Sequence, residues 1–175
     1  MKIVIIIPAH LNSIRFPKKV LFSFFDVPMI EHVRRRALMN SHNLSVIVAT
    51  CDQEIADLIT GFGGDVTLTS KEHLTGTTRV AEAAQTIDCS HIILLQGDEP
   101  LIYPDYIDII VDLIKSKPEI VAWNATAPIN SQEELDRHSF VKCSVNPLGK
   151  ILYYFRRSPS HQKFHHQKQY IKKIL

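Results

Sequence analysis

The stretch "KIVIIIPA" (residues 2–9) is an unbroken aliphatic run, and similar short runs recur as "LSVIVAT" (residues 44–50), "DVTLT" (residues 65–69) and "HIILLQ" (residues 91–96). Segments of amphipathic, helical periodicity separate them. Continuous β-branched runs that alternate with helices are typical of parallel strands buried on both faces and joined by right-handed crossovers. The sequence therefore predicts an α/β fold with a doubly wound, mostly parallel sheet.

Residues near the ends of the expected helices support this division. Pro28 suits the first turn of the first helix, and Asp52 is expected to cap the second, which ends at the glycines of residues 61–64. The three arginines Arg34–Arg36 are interpreted as the solvent face of the first helix.

The pattern changes after Glu119. Three segments, residues 120–129, 140–150 and 151–157, are predicted to be strands, and Asn146–Gly149 is predicted to be a hairpin connection. A small antiparallel extension is therefore expected to follow the parallel core. The last six residues are expected to begin another element.

Length and composition limit the class of protein. A chain of 175 residues, 45% hydrophobic and 22% charged, is expected to form one soluble domain over residues 1–159, followed by a basic tail over residues 160–175. The aliphatic runs are too short to cross a membrane, so we expect a cytoplasmic protein without a membrane partner. Its three cysteines, in an odd number and widely spaced, predict neither a disulfide framework nor a zinc site.

The loop after the first run, within "IPAHLNSIRFPKKV" (residues 7–20), is cationic. It lacks the G-x-G-x-x-G pattern of dinucleotide sites. Arg15 and Lys19 instead supply a guanidinium group and an ammonium group, both of which bind phosphate oxygens. This loop is therefore either a phosphate site or an ordinary solvated turn.

Two further loops carry candidate ligands. In "LLQGDEP" (residues 94–100), Asp98 follows what we take to be a central strand and could hold Mg²⁺ against phosphates, or merely bond its own turn. In "HLTGTTRV" (residues 73–80), Thr75–Gly76–Thr77 precedes a helix that contains Arg79, and these hydroxyls could cap the helix or bind a ligand.

Taken together, the blocks "IIIPAH-x4-R-x3-K", "LTS-x2-H-x-TGTTR", "LLQGDEP" and "FVKCSVNPLGKILYYFRR" resemble, in order, the motifs of the sugar-acid cytidylyltransferases, most closely the 3-deoxy-manno-octulosonate cytidylyltransferase (CMP-KDO synthetase) family. The resemblance covers the chain through Pro159. It implies a Rossmann-like nucleotidyltransferase fold, CTP and 3-deoxy-manno-octulosonate (KDO) as substrates, and Mg²⁺ as cofactor. The product, CMP-KDO, would serve lipopolysaccharide biosynthesis.

The resemblance also implies roles for individual residues. Arg15 and Lys19 match positions that contact the triphosphate, and Asp98 matches the metal-binding aspartate. Arg157 matches an arginine that we assign to the sugar acid. The remaining positions that the resemblance places around the nucleotide are Pro8, Ala9, His10, Thr75, Gly76, Thr77, Arg79 and Gln96.

The chain departs from the family pattern at two positions of the first loop. His10 stands where the family usually has arginine, and an imidazole cannot replace a permanent bidentate cation. Lys18 stands where the family has glycine, which adopts backbone angles closed to other residues. Weaker triphosphate binding is expected from both changes.

The family pattern also continues beyond this chain, with an H-x-G-I-Y-G-Y region, dimer-forming segments and a late aspartate for the second metal ion. We therefore expect weak or absent turnover unless another chain supplies them, and a homodimer is possible. The alternatives are a non-catalytic nucleotide-binding pseudoenzyme and an enzyme for another sugar acid, such as 8-amino-KDO. Nucleic-acid binding by the tail is disfavoured because its cations are not interleaved with a pattern of stacking aromatic residues. Metal binding by the tail histidines His161, His165 and His166 is disfavoured because no acidic or cysteine partner is near them in the sequence.

Overall fold

The computed structural model describes residues 1–13, 16–157 and 170–173, and the chain divides into two compact units, Met1–Glu119 and Ile120–Leu175. The change of sequence pattern at Glu119 coincides with this boundary. The expectation of a single domain over residues 1–159 stays a prediction. Within the described residues, no helix is both long enough and apolar enough to span a bilayer.

The strands and helices follow one another along the chain with a short 3₁₀ turn at Lys19–Leu21. The first unit contains β1 (Ile3–Ala9), β2 (Ser23–Phe24), β3 (Val27–Pro28), α1 (Met29–Leu38), β4 (Ser45–Thr50), α2 (Gln53–Gly61), β5 (Asp65–Leu68), α3 (Gly76–Gln85), β6 (His91–Leu94) and α4 (Pro104–Ser116). The second contains β7 (Thr126–Ile129), α5 (Gln132–Asp136), β8 (Lys142–Val145), β9 (Ile151–Phe155) and β10 (Tyr170–Lys173).

The main sheet of the first unit has the strand order β5-β4-β1-β6, and all its pairs are parallel. All seven residues of β1 are buried, which explains its continuous aliphatic sequence. The predicted parallel α/β architecture is confirmed. The prediction that the strand before Asp98 is central is wrong, because β6 is the edge of this four-stranded sheet and β1 lies inside it.

Helices cover both faces of this sheet. On one face Val80 and Ala83 of α3 pack in a cluster with Val4 and Ile6 of β1. Ile7 points to the opposite face, towards α1. A Cβ placed on Gly97 would lie 3.6 Å from Cγ2 of Ile7 and 3.1 Å from Cδ1 of Ile30 in α1, so these two side chains are close to each other. Each fully buried aliphatic side chain of this kind contributes about 1.5–3 kcal/mol to folding. The doubly wound arrangement is therefore a consequence of strands that are apolar on both sides.

Helix α1 carries a buried ion pair that the sequence analysis missed. Glu31 is fully buried, and its carboxylate accepts hydrogen bonds from Nε and Nη2 of Arg34 at 2.7 and 2.9 Å and from Nε of Arg35 at 2.7 Å. Arg34 is itself only 7% exposed and donates to the carbonyl of Phe62 at 3.1 Å. The interpretation of Arg34–Arg36 as a solvent face is thus wrong for Arg34, because Glu31 one turn earlier provides a buried partner.

The second unit is an antiparallel sheet with the order β7-β10-β8-β9. Asn146 and Lys150 close the predicted hairpin, in which the Asn146 amide donates to the Lys150 carbonyl at 2.9 Å. Of the strand predicted over residues 120–129, only Thr126–Ile129 forms. Strand β10 lies within the last six residues, where an element was expected.

Helix α5 was not predicted, although its start has a recognisable signature. The Ser131 hydroxyl accepts a hydrogen bond from the Glu134 amide at 3.1 Å, and the Glu134 carboxylate accepts one from the Asn130 amide at 2.9 Å. The pair has the S-x-x-E spacing of a capping box. The helix ends at Asp136, because the backbone of the next residue, Arg137, is extended, with φ −63° and ψ 109°.

Phe25 occupies the turn between β2 and β3 with φ +50° and a side chain that is 96% exposed. The left-handed conformation costs a residue with a Cβ about 1–2 kcal/mol, and asparagine tolerates it far better. We therefore expect Phe25→Asn to raise the free energy of unfolding by about 1 kcal/mol in denaturant titrations. Leu74→Asn is the matched control, since Leu74 is 97% exposed without a positive φ; equal shifts in the two variants would contradict the backbone explanation.

Candidate functional site

The strand order places a crevice between β1 and β6. The chain runs from β1 to β4 and β5 on one side of β1 and then returns to β6 on the other side. Ligands of doubly wound sheets bind at such a switch point, outside the carboxyl ends of the strands. A cavity of about 160 Å³ lies there. Its lining consists of Pro8, Ala9, His10, Ser13, Lys19, Val20, Gly76, Gln96, Gly97 and Asp98.

This lining unites residues from the three loops that the sequence analysis selected. The first loop contributes His10 and Lys19 after Pro8 and Ala9, α3 contributes Gly76, and the segment after β6 contributes Gln96 and Asp98. The structure adds three residues that were not selected, Ser13, Val20 and Gly97.

Two glycines allow this close approach. A Cβ on Gly97 would lie 2.9 Å from the carbonyl oxygen of Pro8 and 3.1 Å from Cδ1 of Ile30. A Cβ on Gly76 would lie 3.0 Å from Cγ of Pro8. Both glycines thus press against the same proline, and no larger residue fits at position 97 without displacing the backbone of β1.

Lys19 and Asp98 form an ion pair between the ammonium group and carboxylate oxygen Oδ2. The side chains are 32% and 44% exposed, respectively. The Asp98 carboxylate therefore faces the cationic loop, and the cleft presents one positive and one negative group to solvent. An ion pair with this exposure contributes roughly 0–1 kcal/mol, so a ligand can separate it at little cost.

Glu99 lies beside this pair and is half-buried. Burial raises the pKa of its carboxyl, the charge of Asp98 raises it further, and Lys19 lowers it in part. The carboxyl groups of Asp98 and Glu99 thus lie close to each other and to the ammonium group of Lys19. Asp98 lines the cavity, and Glu99 is not among its lining residues. That Asp98 holds a metal ion stays a prediction.

The first loop is tied to the start of α2. Oδ2 of Asp52 accepts a hydrogen bond from the Leu11 amide at 2.9 Å, and Nζ of Lys18 contacts both carboxylate oxygens of Glu54 at 2.9 and 2.7 Å. Lys18 has φ +55°, the conformation for which glycine is suited. The expected strain at this departure from the family pattern is therefore present. Arg15 lies outside the described residues, and its triphosphate contact stays a prediction.

Thr75, the residue before α3, caps this helix. The Thr75 hydroxyl accepts a hydrogen bond from the Thr78 amide at 3.2 Å. Thr75 and Thr77 are exposed and do not line the cavity. Arg79 is buried, and Nη1 donates to the Thr69 hydroxyl at 2.5 Å and the Ser70 carbonyl at 3.2 Å. Arg79 thus holds the preceding loop, and its role in substrate binding stays a prediction.

The same loop has a second attachment to α3 that the sequence analysis missed. The Glu82 carboxylate accepts hydrogen bonds from the Ser70 amide, at 3.0 Å for Oε2, and from Nε2 of His73. The His73 hydrogen bond is the main reason why the pKa of Glu82 is lowered. Glu82 lies one turn after Arg79 on α3. Two ionisable residues with this helical spacing could have indicated in the sequence that both side chains bind the same loop.

Arg157 belongs to the second unit, where it is exposed two residues beyond β9. Its assignment to the sugar acid stays a prediction. A different cation of that unit, Lys142, is buried, and its Nζ donates to the carbonyls of Arg137 at 2.6 Å and Arg156 at 2.7 Å. Burial lowers the pKa of Lys142. Lys142 therefore binds two backbone carbonyl groups, and the alternating sequence pattern of a strand does not predict a buried lysine.

The residues of the cavity could bind Mg²⁺ only together with the phosphates of a bound ligand. Among the described residues, no group of three or more histidine, cysteine, aspartate and glutamate side chains can enclose a metal ion. Mg²⁺ commonly binds one or two carboxylates together with substrate phosphates and water. Asp98 matches this mode. The tail histidines His161, His165 and His166 lie outside the described residues.

Comparisons with known proteins agree with this geometry. The cytidylyltransferase family model matches residues 4–174. The 3-deoxy-manno-octulosonate cytidylyltransferases of Geobacter metallireducens and Chlorobium limicola are 40% and 38% identical over 91% of this chain. The chain spans 62% and 65% of their lengths. A structure of CMP:2-keto-3-deoxy-manno-octonic acid synthetase complexed with CTP is 32% identical with a TM-score of 0.92, over 99% of this chain and 72% of that one.

Replacing Gly97 tests the close approach that forms the cavity. We expect Gly97→Ala to lower the free energy of unfolding by about 1–3 kcal/mol, since the added methyl group meets backbone that must shift. Gly61→Ala is the matched control, because a Cβ there meets nothing within 4 Å, and it should be neutral or slightly stabilising. Denaturant titrations measure both, and an unaffected Gly97→Ala variant would contradict the packing described.

The raised pKa of Glu99 predicts a pH-dependent stability. A carboxyl whose pKa is raised by folding from its ordinary value of 4.5 stabilises the fold fully below that value, and this contribution is lost as pH rises through the folded-state pKa. We expect Glu99→Gln to melt at a higher temperature than the wild type at pH 8, with the difference vanishing at pH 4. A pH-independent difference for Glu99→Gln would contradict the assignment.

Proposed function

The chain belongs to the cytidylyltransferase family, and on that premise we propose that it transfers CMP from CTP to KDO with release of pyrophosphate, a step of lipopolysaccharide biosynthesis. The printed names of its relatives and the CTP complex of the similar structure support this choice of substrates. A cytoplasmic location and a homodimer are further parts of the proposal, supported by the family resemblance.

The observation that carries the proposal is the pairing of Lys19 with Asp98 across the cavity at the carboxyl edge of the sheet. A lysine ammonium is a strong point-charge ligand for phosphate oxygens. When a triphosphate enters, Lys19 is expected to exchange its carboxylate partner for phosphate. The Asp98 carboxylate then becomes available in the same cavity.

Asp98 is the residue that would hold Mg²⁺, jointly with the phosphates of CTP. The bound ion would supply charge neutralisation on those phosphates and favour ionisation of the attacking hydroxyl. Glu99 follows Asp98 in the chain, and burial raises the pKa of its carboxyl. The metal requirement follows from the chemistry of this donor set and from the family resemblance.

The protein's own contribution to the reaction is positioning and charge neutralisation. In the proposed reaction the anomeric hydroxyl oxygen of KDO attacks the α-phosphorus in line, the bond to the β-phosphate oxygen breaks, and the hydroxyl proton is lost. Lys19 offsets the charge that grows on the leaving pyrophosphate. Loss of one such preorganised contact typically lowers the rate roughly a hundredfold, or about 3 kcal/mol.

Two further candidates follow from specific observations. A nucleotide-binding pseudoenzyme is favoured by His10, which lines the cavity where the family usually has an arginine. A cytidylyltransferase for another sugar acid, such as 8-amino-KDO, is the alternative within the enzyme class, because the assignment of Arg157 to the sugar rests on the family resemblance alone.

The proposal is tested by measuring CTP binding by calorimetry and pyrophosphate release with CTP, Mg²⁺ and either KDO or 8-amino-KDO. We expect weak release by the wild type and about a hundredfold less by Asp98→Ala and by Lys19→Met. Asp88→Ala is the control, since it removes an exposed carboxylate that pairs with Lys2 outside the cavity.

The following results separate the candidates. Binding of CTP without turnover on either sugar acid would replace the enzyme by the pseudoenzyme. Turnover on 8-amino-KDO alone would correct the substrate. A wild-type chain that binds no CTP, or an Asp98→Ala variant as active as Asp88→Ala, would overturn the proposal.

A further inference from the structure

Asp52 does not perform the role that its position predicts. It stands directly before α2, where an aspartate usually caps the helix, yet its side chain makes no capping hydrogen bond. Its Oδ2 instead accepts the amide hydrogen of Leu11, 41 residues earlier in the chain, at 2.9 Å. A residue expected to stabilise its own helix is thus directed to the loop after β1.

The Leu11 peptide is the point at which that loop closes. The Leu11 carbonyl accepts hydrogen bonds from the amides of Ser13 at 2.9 Å and Lys18 at 3.1 Å, while the Leu11 amide is held by Asp52. Three residues of this loop, His10, Ser13 and Lys19, line the cavity. Fixing Leu11 therefore fixes the start and the end of the segment that carries them.

Asp52 is anchored on a rigid element. Its own amide donates to the hydroxyl of Thr50 at 3.1 Å, and Thr50 is fully buried at the end of β4. The Asp52 side chain is partly buried at its contact with Leu11. A hydrogen bond to a charged group in such a place is stronger than one between neutral groups.

We propose that Asp52 is a positioning residue for nucleotide binding, acting through the Leu11 peptide on the phosphate-facing loop. This inference rests on the proposed function. Asp52 does not line the cavity, so any effect of its substitution on nucleotide affinity passes through the loop.

The second attachment of the loop has a smaller effect. Lys18 and Glu54 are 58% and 51% exposed, and water and salt screen an ion pair of this kind. Glu54 is therefore the natural control: it also belongs to the α2 terminus, also contacts the loop and also carries a negative charge.

The test compares Asp52→Ala, Asp52→Asn and Glu54→Ala by calorimetric titration with CTP and Mg²⁺. We expect Asp52→Ala to weaken CTP binding about tenfold. Asp52→Asn retains an oxygen acceptor for the Leu11 amide and should remain within about threefold of the wild type. Glu54→Ala should remain within about twofold.

Amide hydrogen exchange without nucleotide gives a readout that does not depend on CTP. The Leu11 amide should be protected in the wild type and in Asp52→Asn, and should exchange faster in Asp52→Ala, if that variant folds. An unprotected Leu11 amide in the folded wild type would overturn the inference. This comparison stands even if the alanine variant does not fold.

The outcomes separate the inference from the proposed function. Wild-type affinity in a folded Asp52→Ala variant, or a tenfold loss in Asp52→Asn and Glu54→Ala alike, would overturn the positioning role while the proposed function stands. Failure of the wild type to bind CTP would instead overturn the proposed function, with the protection of the Leu11 amide still reporting the Asp52 contact.

Discussion

Strand β1 pairs with parallel strands on both sides, and the two ladders end at different places. Pairing with β6 stops at Ile6 and Leu94, whereas pairing with β4 continues to Ala9 and Thr50. The remaining end of β1 is therefore free on the β6 side, and Pro8, which has no N–H group, cannot extend the ladder there. The gap is the cavity. Its dimensions depend on how closely Gly97 approaches the Pro8 carbonyl.

The elements that enclose this gap could be predicted because burial alone determines them. A strand such as β1, buried at every residue, must be aliphatic throughout, and the sequence reveals it directly. The carboxyl ends of parallel strands share one edge, so the residues after each run were expected to meet. His10, Lys19, Gln96 and Asp98 do so. The edge position of β6 was not predictable in this way, because an aliphatic run does not specify its neighbours.

The sequence analysis was least accurate for the surroundings of polar side chains, and one physical reason explains this. Apolar periodicity reports which face of an element is buried, but a charged group can be buried wherever a partner satisfies it. Arg34 and Lys142 are buried against Glu31 and against two carbonyls, respectively. For Asp52 the alternatives were the amides of its own helix and the amide of Leu11, from which its Oδ2 accepts a hydrogen bond in addition to a contact with the Cys51 thiol at 3.7 Å. Only the three-dimensional path of the first loop decides between them.

The first loop also shows how one unfavourable residue can be retained. Lys18 in the left-handed conformation costs about 1–2 kcal/mol relative to glycine. The exposed ion pair between Lys18 and Glu54 stabilises the loop by at most about 1 kcal/mol. The remainder must come from contacts that need this backbone shape, and two are in place, the Lys18 amide on the Leu11 carbonyl and the Leu11 amide on Asp52. The backbone at Lys18 is therefore set by the closure of the loop rather than by its own side chain, and the closed loop in turn places Lys19 opposite Asp98.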